Sequence, residues 1–332
     1  METIGSFNPY YNLNFWGFFI ELFKRFGAFA TGQLGVNDLA SDEIQILVLV
    51  GVSISAASVG TFLILRRMTM LANSLSHTIL IGIVGAYIFT SDGLIGNDTG
   101  HTHNINIEAM LLASLVMGLL TAFLTEFLTK TAKLQEDAST GIVFTSLFAI
   151  GVVLVTLLTR NAHIGTEVVM GNVDALQLDD CKLVYIIAAI NVLLFFTFFK
   201  EFKITTFDPG LAIAFGISTT FFNYLLMVQT SATAIGAFRA VGVLMVLALI
   251  TGPALTARLL THDLKKMILL AVLLGSLASI LGVAISRHLL SVYDMPLSTA
   301  GVVVCTIVTM YILTLAYLSV KRVRMRRKIA EG

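Results

Sequence analysis

Long apolar runs recur along the chain with few polar interruptions, and they divide it into windows of about the 20 residues that a helix needs to cross a bilayer. Nine such windows are predicted, at Ile44 to Leu65, Thr69 to Phe89, Ile107 to Leu128, Thr140 to Leu158, Leu183 to Phe199, Thr219 to Ile235, Val241 to Leu259, Met267 to Ile285 and Leu297 to Leu318. The sixth contains Gln229, Thr230 and Ser231 and is the weakest, so a short, broken or partly re-entrant segment is an open alternative there. The stretch Phe15 to Phe29 is also apolar, but Glu21, Lys24 and Arg25 stand in its middle, where each charge costs about 2.5 to 3.5 kcal/mol on insertion scales. It reads as an interfacial amphipathic helix within an N-terminal extension, residues 1–43. No basic segment precedes this run, which disfavours a cleaved signal peptide.

Composition supports the pattern. Of 332 residues, 57% are hydrophobic and 12% charged, whereas a soluble chain carries about 25% charged residues. The expected fold is therefore all-α, a polytopic integral membrane protein of eight or nine spanning helices with the transmembrane body at 44–320. A net charge of +1 argues against general polyanion binding, so no nucleic-acid partner is expected. The two cysteines, Cys181 and Cys305, are too few for a disulfide framework or a thiolate metal cluster. Sorting the 21 Lys and Arg by loop places 15 on one side, among them Arg66, Arg67, Lys130, Lys133, Lys200, Lys203 and six in the tail. The positive-inside rule makes that side cytoplasmic and puts the C-terminus there. The tail 321–332 is basic and reads as a topology anchor drawn to anionic membrane lipid.

Polar residues inside the windows carry the candidate chemistry. Asn73 and His77 lie four residues apart, on one helical face, and could form half of a site for a borderline divalent cation such as Mn, Fe or Zn. A hydrogen bond across a helix interface explains the same pair. Gly51, Ser53, Ser55, Ala56, Ala57, Ser58 and Gly60 give the first window a surface of small residues suited to close helix packing. Glu126 reads as a solvated helix end. His101 and His103, in the outer loop, are either transient metal captors or chance neighbours. Pro253 should kink the seventh window, as gating geometry or only as packing. The segment KEFKITTFDPGLAIAFGIS differs in kind: Asp208 reads as a helix N-cap, Pro209 as the first helical residue and Gly216 as the stop, after Phe207. This predicts a short helix at about 207–218 on the cytoplasmic face, a docking element or an ordinary connection. Neither a Gly-Lys-Ser/Thr phosphate loop nor a His-Glu-x-x-His or Gly-x-Ser-x-Gly motif is present, so the chain is not expected to be an enzyme.

The run LILRRMTMLANSLSHTILIGIVGAYIF resembles the first-to-second-span signature of bacterial ABC transporter permeases for divalent metals, in which Arg-Arg-Met precedes Gly-Asp-Ala-Leu-Ser-His. KEFKITTFDPGLAIAFGIS is similar to that family's phenylalanine-aspartate-proline coupling segment, and FRAVGVLMVLALITGPALTARLLT to its Val-Gly-Val-Leu-Leu-Val helix. DMPLSTAGVVV fits its usual ending, so the resemblance runs from about Ile44 to Leu318. It implies a permease in the bacterial cytoplasmic membrane, a cytoplasmic ABC ATPase dimer that hydrolyses the ATP, an extracytoplasmic metal-binding solute protein and a second permease subunit. The cargo would be Mn, Zn or Fe, with no permanently bound cofactor. By position the resemblance gives His77 an ion-coordinating role, and it makes Phe207, Asp208, Pro209 and Gly210 the ATPase-coupling residues. Asn73 stands where the family keeps Asp, which points to a non-identical second permease that retains the carboxylate, a homodimeric pore with a weaker site being the alternative. An ion-coupled secondary carrier or a non-transport membrane scaffold are the competing functions. A secondary carrier should show inverted repeats and midplane carboxylates, and the sequence has neither.

Overall fold

The first long apolar run opens as a helix at Ser41 because the Glu43 carboxylate folds back onto the Ala40 backbone N–H at 2.8 Å, satisfying one of the helix's free donors. In the computed structural model of the chain, the backbone is described for residues 9–10, 13–35, 38–74, 78, 81–82, 107–159 and 173–330. All regular structure among these residues is helical. The helices are α1 (Phe15–Ala30), α2 (Ser41–Leu65), α3 (Ile107–Ala132), α4 (Glu136–Thr159), α5 (Leu178–Thr197), α6 (Phe199–Phe207), α7 (Pro209–Ala214), α8 (Thr219–Val241), α9 (Val243–Leu260), α10 (Leu264–Tyr293) and α11 (Thr299–Ala330). A short helical stretch over 69–74 follows α2, and a 3-10 turn, Val173–Ala175, precedes α5.

Six of these helices are long and apolar enough to cross a membrane: α2, the Leu115–Ala132 part of α3, α5, α9, α10 and the Thr299–Arg324 part of α11. Most of the second predicted window lies outside the described residues, and in α4 only the shorter apolar stretch Ala138–Leu154 stands out. The sixth window is not broken, and it is not among the six. It is the continuous helix α8, in which Thr230 Oγ1 donates to the Leu226 carbonyl at 2.7 Å, while Gln229 and Ser231 are buried with no hydrogen-bond partner among the described residues. Gly242, at φ +79, separates α8 from α9 with a backbone conformation that other residues rarely adopt.

The core lies along α2, which packs against α5, α8, α9 and α10 and has 83% of its apolar window buried. Its small residues let neighbours approach closely. A Cβ added to Gly60 would stand 1.8 Å from the Ile250 carbonyl oxygen of α9. By contrast only 11% of the α11 window is buried, and large apolar side chains such as Ile312 and Leu313 face outward, as suits a lipid-facing helix.

The two ends of α2 are held differently. At its start, consecutive carboxylates meet two arginines from opposite directions: Asp42 accepts from Arg287 Nε at 2.8 Å and from Nη2 at 2.5 and 2.6 Å, while Glu43 accepts from Arg25 Nε at 2.5 Å and Tyr10 Oη at 2.7 Å. Burial, together with the hydrogen bond to Glu43, pushes the Tyr10 phenol well above its ordinary range. Phe15, at the start of α1, contacts the ring of His288, beside Arg287. Both Phe15 and Arg25 of α1 therefore meet the same end of the bundle, so α1 lies across that end rather than along it. At the other end of α2, Arg66 reaches α6 and α8.

Candidate functional site

The segment predicted to dock an ATPase is built as its sequence dictates. Asp208 Oδ1 accepts from the Leu211 backbone N–H at 2.9 Å, Pro209 occupies the first turn, and the helix ends through Gly216, at φ +75, whose N–H bonds to the Ile213 carbonyl at 2.9 Å. Helix α7 itself spans only Pro209–Ala214, shorter than the 207–218 expected, because the turn at Phe215 and Gly216 closes it early. Phe207, Asp208, Pro209 and Gly210 are exposed, and Phe207, Ile213 and Phe215 present large apolar surfaces. Only Ala212 of α7 is buried. The capped helix thus presents an exposed apolar ridge between α6, which buries only Phe202 and Thr205, and the largely buried α8.

The stretch 69–74 carries Asn73, which is half-buried between buried Ala72 and Ser74. The Ser74 hydroxyl has no hydrogen-bond partner among the described residues. His77, His101 and His103 lie outside the described residues, and among those described no group of three or more His, Cys, Asp or Glu gathers as a metal site. Pro253 is buried within α9, and a Cβ on Gly275 of α10 would come within 3.3 Å of its ring. Helix α9 continues without interruption through it. Glu126 is less solvated than expected: Oε1 pairs with Lys130 at 2.5 Å, and Oε2 is buried.

Several residues escaped the sequence reading. Asn191 of α5, 1% exposed, donates through Nδ2 to Ser55 at 2.6 Å and Thr233 at 2.7 Å, and these two hydroxyls are 2.8 Å apart. This triangle ties α2, α5 and α8 together in the apolar interior. Beside the Asp42–Arg287 pair lies a cavity of about 260 Å3 lined by Asp42, Gln45, Asp174, Ser286, Arg287 and Thr299. At the opposite end, Arg66 donates from Nε to Thr206 at 3.0 Å, from Nη2 to Thr205 at 2.8 Å and from Nη1 to Asn223 Oδ1, with its Cζ 6.0 Å from the centre of the Phe202 ring. The only signal for Arg66 was the Arg-Arg-Met motif, which marks the position but not its partners.

A bundle that contains six helices long and apolar enough to cross a membrane is that of a multi-pass membrane protein. The chain belongs to the ABC-3 family, described as the ABC 3 transport family, whose match covers residues 43–318. A protein of Chlamydia trachomatis named "Probable metal transport system membrane protein" is 37% identical over 325 residues, 98% of each chain. The "Manganese transport system membrane protein MntD" of Bacillus subtilis is 38% identical over 250 residues, 71% of this chain and 79% of its own. Among solved structures, "PsaBC from Streptococcus pneumoniae in complex with Fab" aligns with a TM-score of 0.69 at 27% identity, over 86% of this chain and 97% of the other. The chain is thus a multi-pass membrane permease of an ABC metal-transport system.

Proposed function

We propose that this chain is the membrane-spanning subunit of an importer for a divalent transition-metal ion, Mn, Zn or Fe, driven by two cytoplasmic ATPase subunits and fed by an extracytoplasmic metal-binding protein. The observation that carries the reading is the exposed helix Pro209–Ala214, capped by Asp208 and attached through α6 and α8 to the buried core. A secondary carrier has no use for such a docking helix. In this reading ATP binding closes the ATPase dimer, the Phe207–Gly210 segment moves with it, and the spans alternate between outward and inward access. The names of relatives support manganese and zinc among the three ions.

The ion path runs past His77, with Asn73 one helical turn away offering a neutral amide oxygen. A second permease carrying Asp at the Asn73 position completes the site. The end that carries Arg66 and Lys265 faces the cytoplasm with the basic tail, and α1 lies in the opposite membrane interface. Its exposed Trp16, Ile20 and Phe23 fall on one face, opposite Phe18 and Leu22 in the protein. In this reading residues 1–43 are an N-terminal extension, of which α1 packs on the permease body, and 321–332 a lipid-attracted anchor.

The test is metal uptake into vesicles reconstituted with the permeases and the ATPase. Uptake should require ATP and the ATPase, and His77→Ala should lower it by at least about tenfold, the scale for losing one good metal ligand, while ATPase assembly stays intact. ATP-independent uptake by the permease alone would point to a secondary carrier, and normal uptake by His77→Ala would remove His77 from the path.

A further inference from the structure

Between the ATPase-docking segment and the helix that carries Asn73 stands one side chain that is bonded to both flanks of the former and leads directly into the latter. We propose that Arg66 is the positioning residue that transmits movement of the Phe207–Gly210 segment to the Asn73 helix, an inference that rests on the transport reading above.

The geometry is specific to a guanidinium. Thr205 Oγ1 donates to the Glu201 carbonyl at 2.8 Å and Thr206 Oγ1 to the Phe202 carbonyl at 2.6 Å, so each hydroxyl offers its lone pairs to Arg66. Thr205 and Thr206 lie just before Asp208, and Asn223 lies on α8, just after the docking helix. The docking unit is therefore suspended between two anchor points that converge on one planar fork, a job for which Lys, with its point charge, is poorly shaped.

Packing makes the link stiff. Phe202, fully buried, is the hub of an aromatic cluster with Phe62 of α2 at 5.4 Å, Phe195 of α5 at 5.1 Å and Phe222 of α8 at 5.2 Å between ring centres. A close-packed cluster moves as a body rather than deforming. On its other side, Arg66 is the C-cap of α2, and two backbone bonds, Arg67 N–H to Ile64 at 3.2 Å and Met68 N–H to Leu63 at 2.8 Å, fix the turn that enters the stretch 69–74. Displacing α6 against α8 must either break the Arg66 fork or carry that turn, and Asn73 beyond it, along.

The experiment measures metal uptake and ATP hydrolysis in the same vesicles, with the permease assembled with its ATPase. Two variants are compared with wild type: Arg66→Lys, which keeps the charge, and the pair Thr205→Val with Thr206→Val, which leaves Arg66 in place but removes two of its acceptors. Both should retain the ATPase and hydrolyse ATP, while ions moved per ATP fall at least about tenfold, the scale for losing a charge-assisted hydrogen bond. A wild-type ratio in either variant overturns the proposal, as does a parallel loss of hydrolysis and of bound ATPase, which would make the fork mere structural glue. If the wild-type complex hydrolyses ATP but moves no metal, the transport reading fails separately. The link is then read from Asn73→Cys in a chain with Cys181→Ala and Cys305→Ala. Its thiol labelling should depend on nucleotide, and Arg66→Lys should abolish that dependence; labelling that ignores nucleotide, or a dependence that survives Arg66→Lys, overturns the proposal.

Discussion

Arg66 and Arg67 are adjacent and carry the same charge, yet their backbones differ. Arg66 remains in the right-handed helical region, whereas Arg67 sits at φ +62, in the left-handed position that glycine usually fills at the end of a helix. A non-glycine residue there costs about 1 kcal/mol or somewhat more, because its Cβ crowds the following carbonyl. Arg67 is exposed, unlike its partly buried neighbour. Arg67→Gly should therefore stabilise the chain by about 1 kcal/mol, seen as a higher Tm in detergent. A lower Tm would mean that the Arg67 side chain makes a contact worth more than its backbone strain. The contrast also separates two reasons for an Arg-Arg pair at a helix end, since charge explains both residues equally and geometry does not.

At the scale of elements, helix packing decides what a glycine is worth. In an open helix interior, Gly→Ala gains about 1 kcal/mol by reducing the entropy lost on folding. Gly141 of α4 is such a site, with nothing within 4 Å of the position its Cβ would take. Gly60 of α2 is the reverse, because its Cβ would meet a backbone carbonyl of α9 at 1.8 Å and one of the two helices would have to move. Gly60→Ala is expected to lower stability by about 1 to 3 kcal/mol and Gly141→Ala to raise it, as read from paired unfolding curves in the same detergent. Equal shifts in the two variants would show that the approach of α2 to α9 is not tight. The small residues of the first window made close packing legible in the sequence, and the Asp208–Pro209 start and Gly216 stop were legible because caps and turns are local. What lay beyond local pattern was not. Asn191, Ser55 and Thr233 meet across separations of 42 to 178 residues, and Arg66 meets its partners 139 to 157 residues away. The polar run of the sixth window, Gln229, Thr230 and Ser231, likewise gave no sign in the sequence that α8 keeps all three buried inside the protein.

On the scale of the whole molecule, the ends of the bundle are chemically unlike. One is closed by α1 and two buried ion pairs. The other carries the exposed helix α7, with Lys265 Nζ 5.6 Å from the centre of the Phe199 ring in the adjoining α6. Between them, an ion crossing an apolar interior must exchange its water for protein ligands, and a neutral amide oxygen offsets that loss far less than a carboxylate does. Two copies of this chain would bring two copies of Asn73 and no carboxylate at that position. On the proposed path, a subunit pair in which the partner carries Asp would restore one negative charge while leaving the site weak enough to release its ion, which a transport path requires. The expected outcome is that an untagged copy of this chain does not co-purify with a tagged copy when no other permease is expressed, whereas an Asp-bearing relative does. Recovery of the untagged copy alone with the tagged one would establish a symmetric pore. The amides would then have to hold the ion with His77 and no charge at that position, and Asn73→Asp should in that case tighten metal binding and slow release, a shift that binding and uptake measured on the same vesicles would resolve.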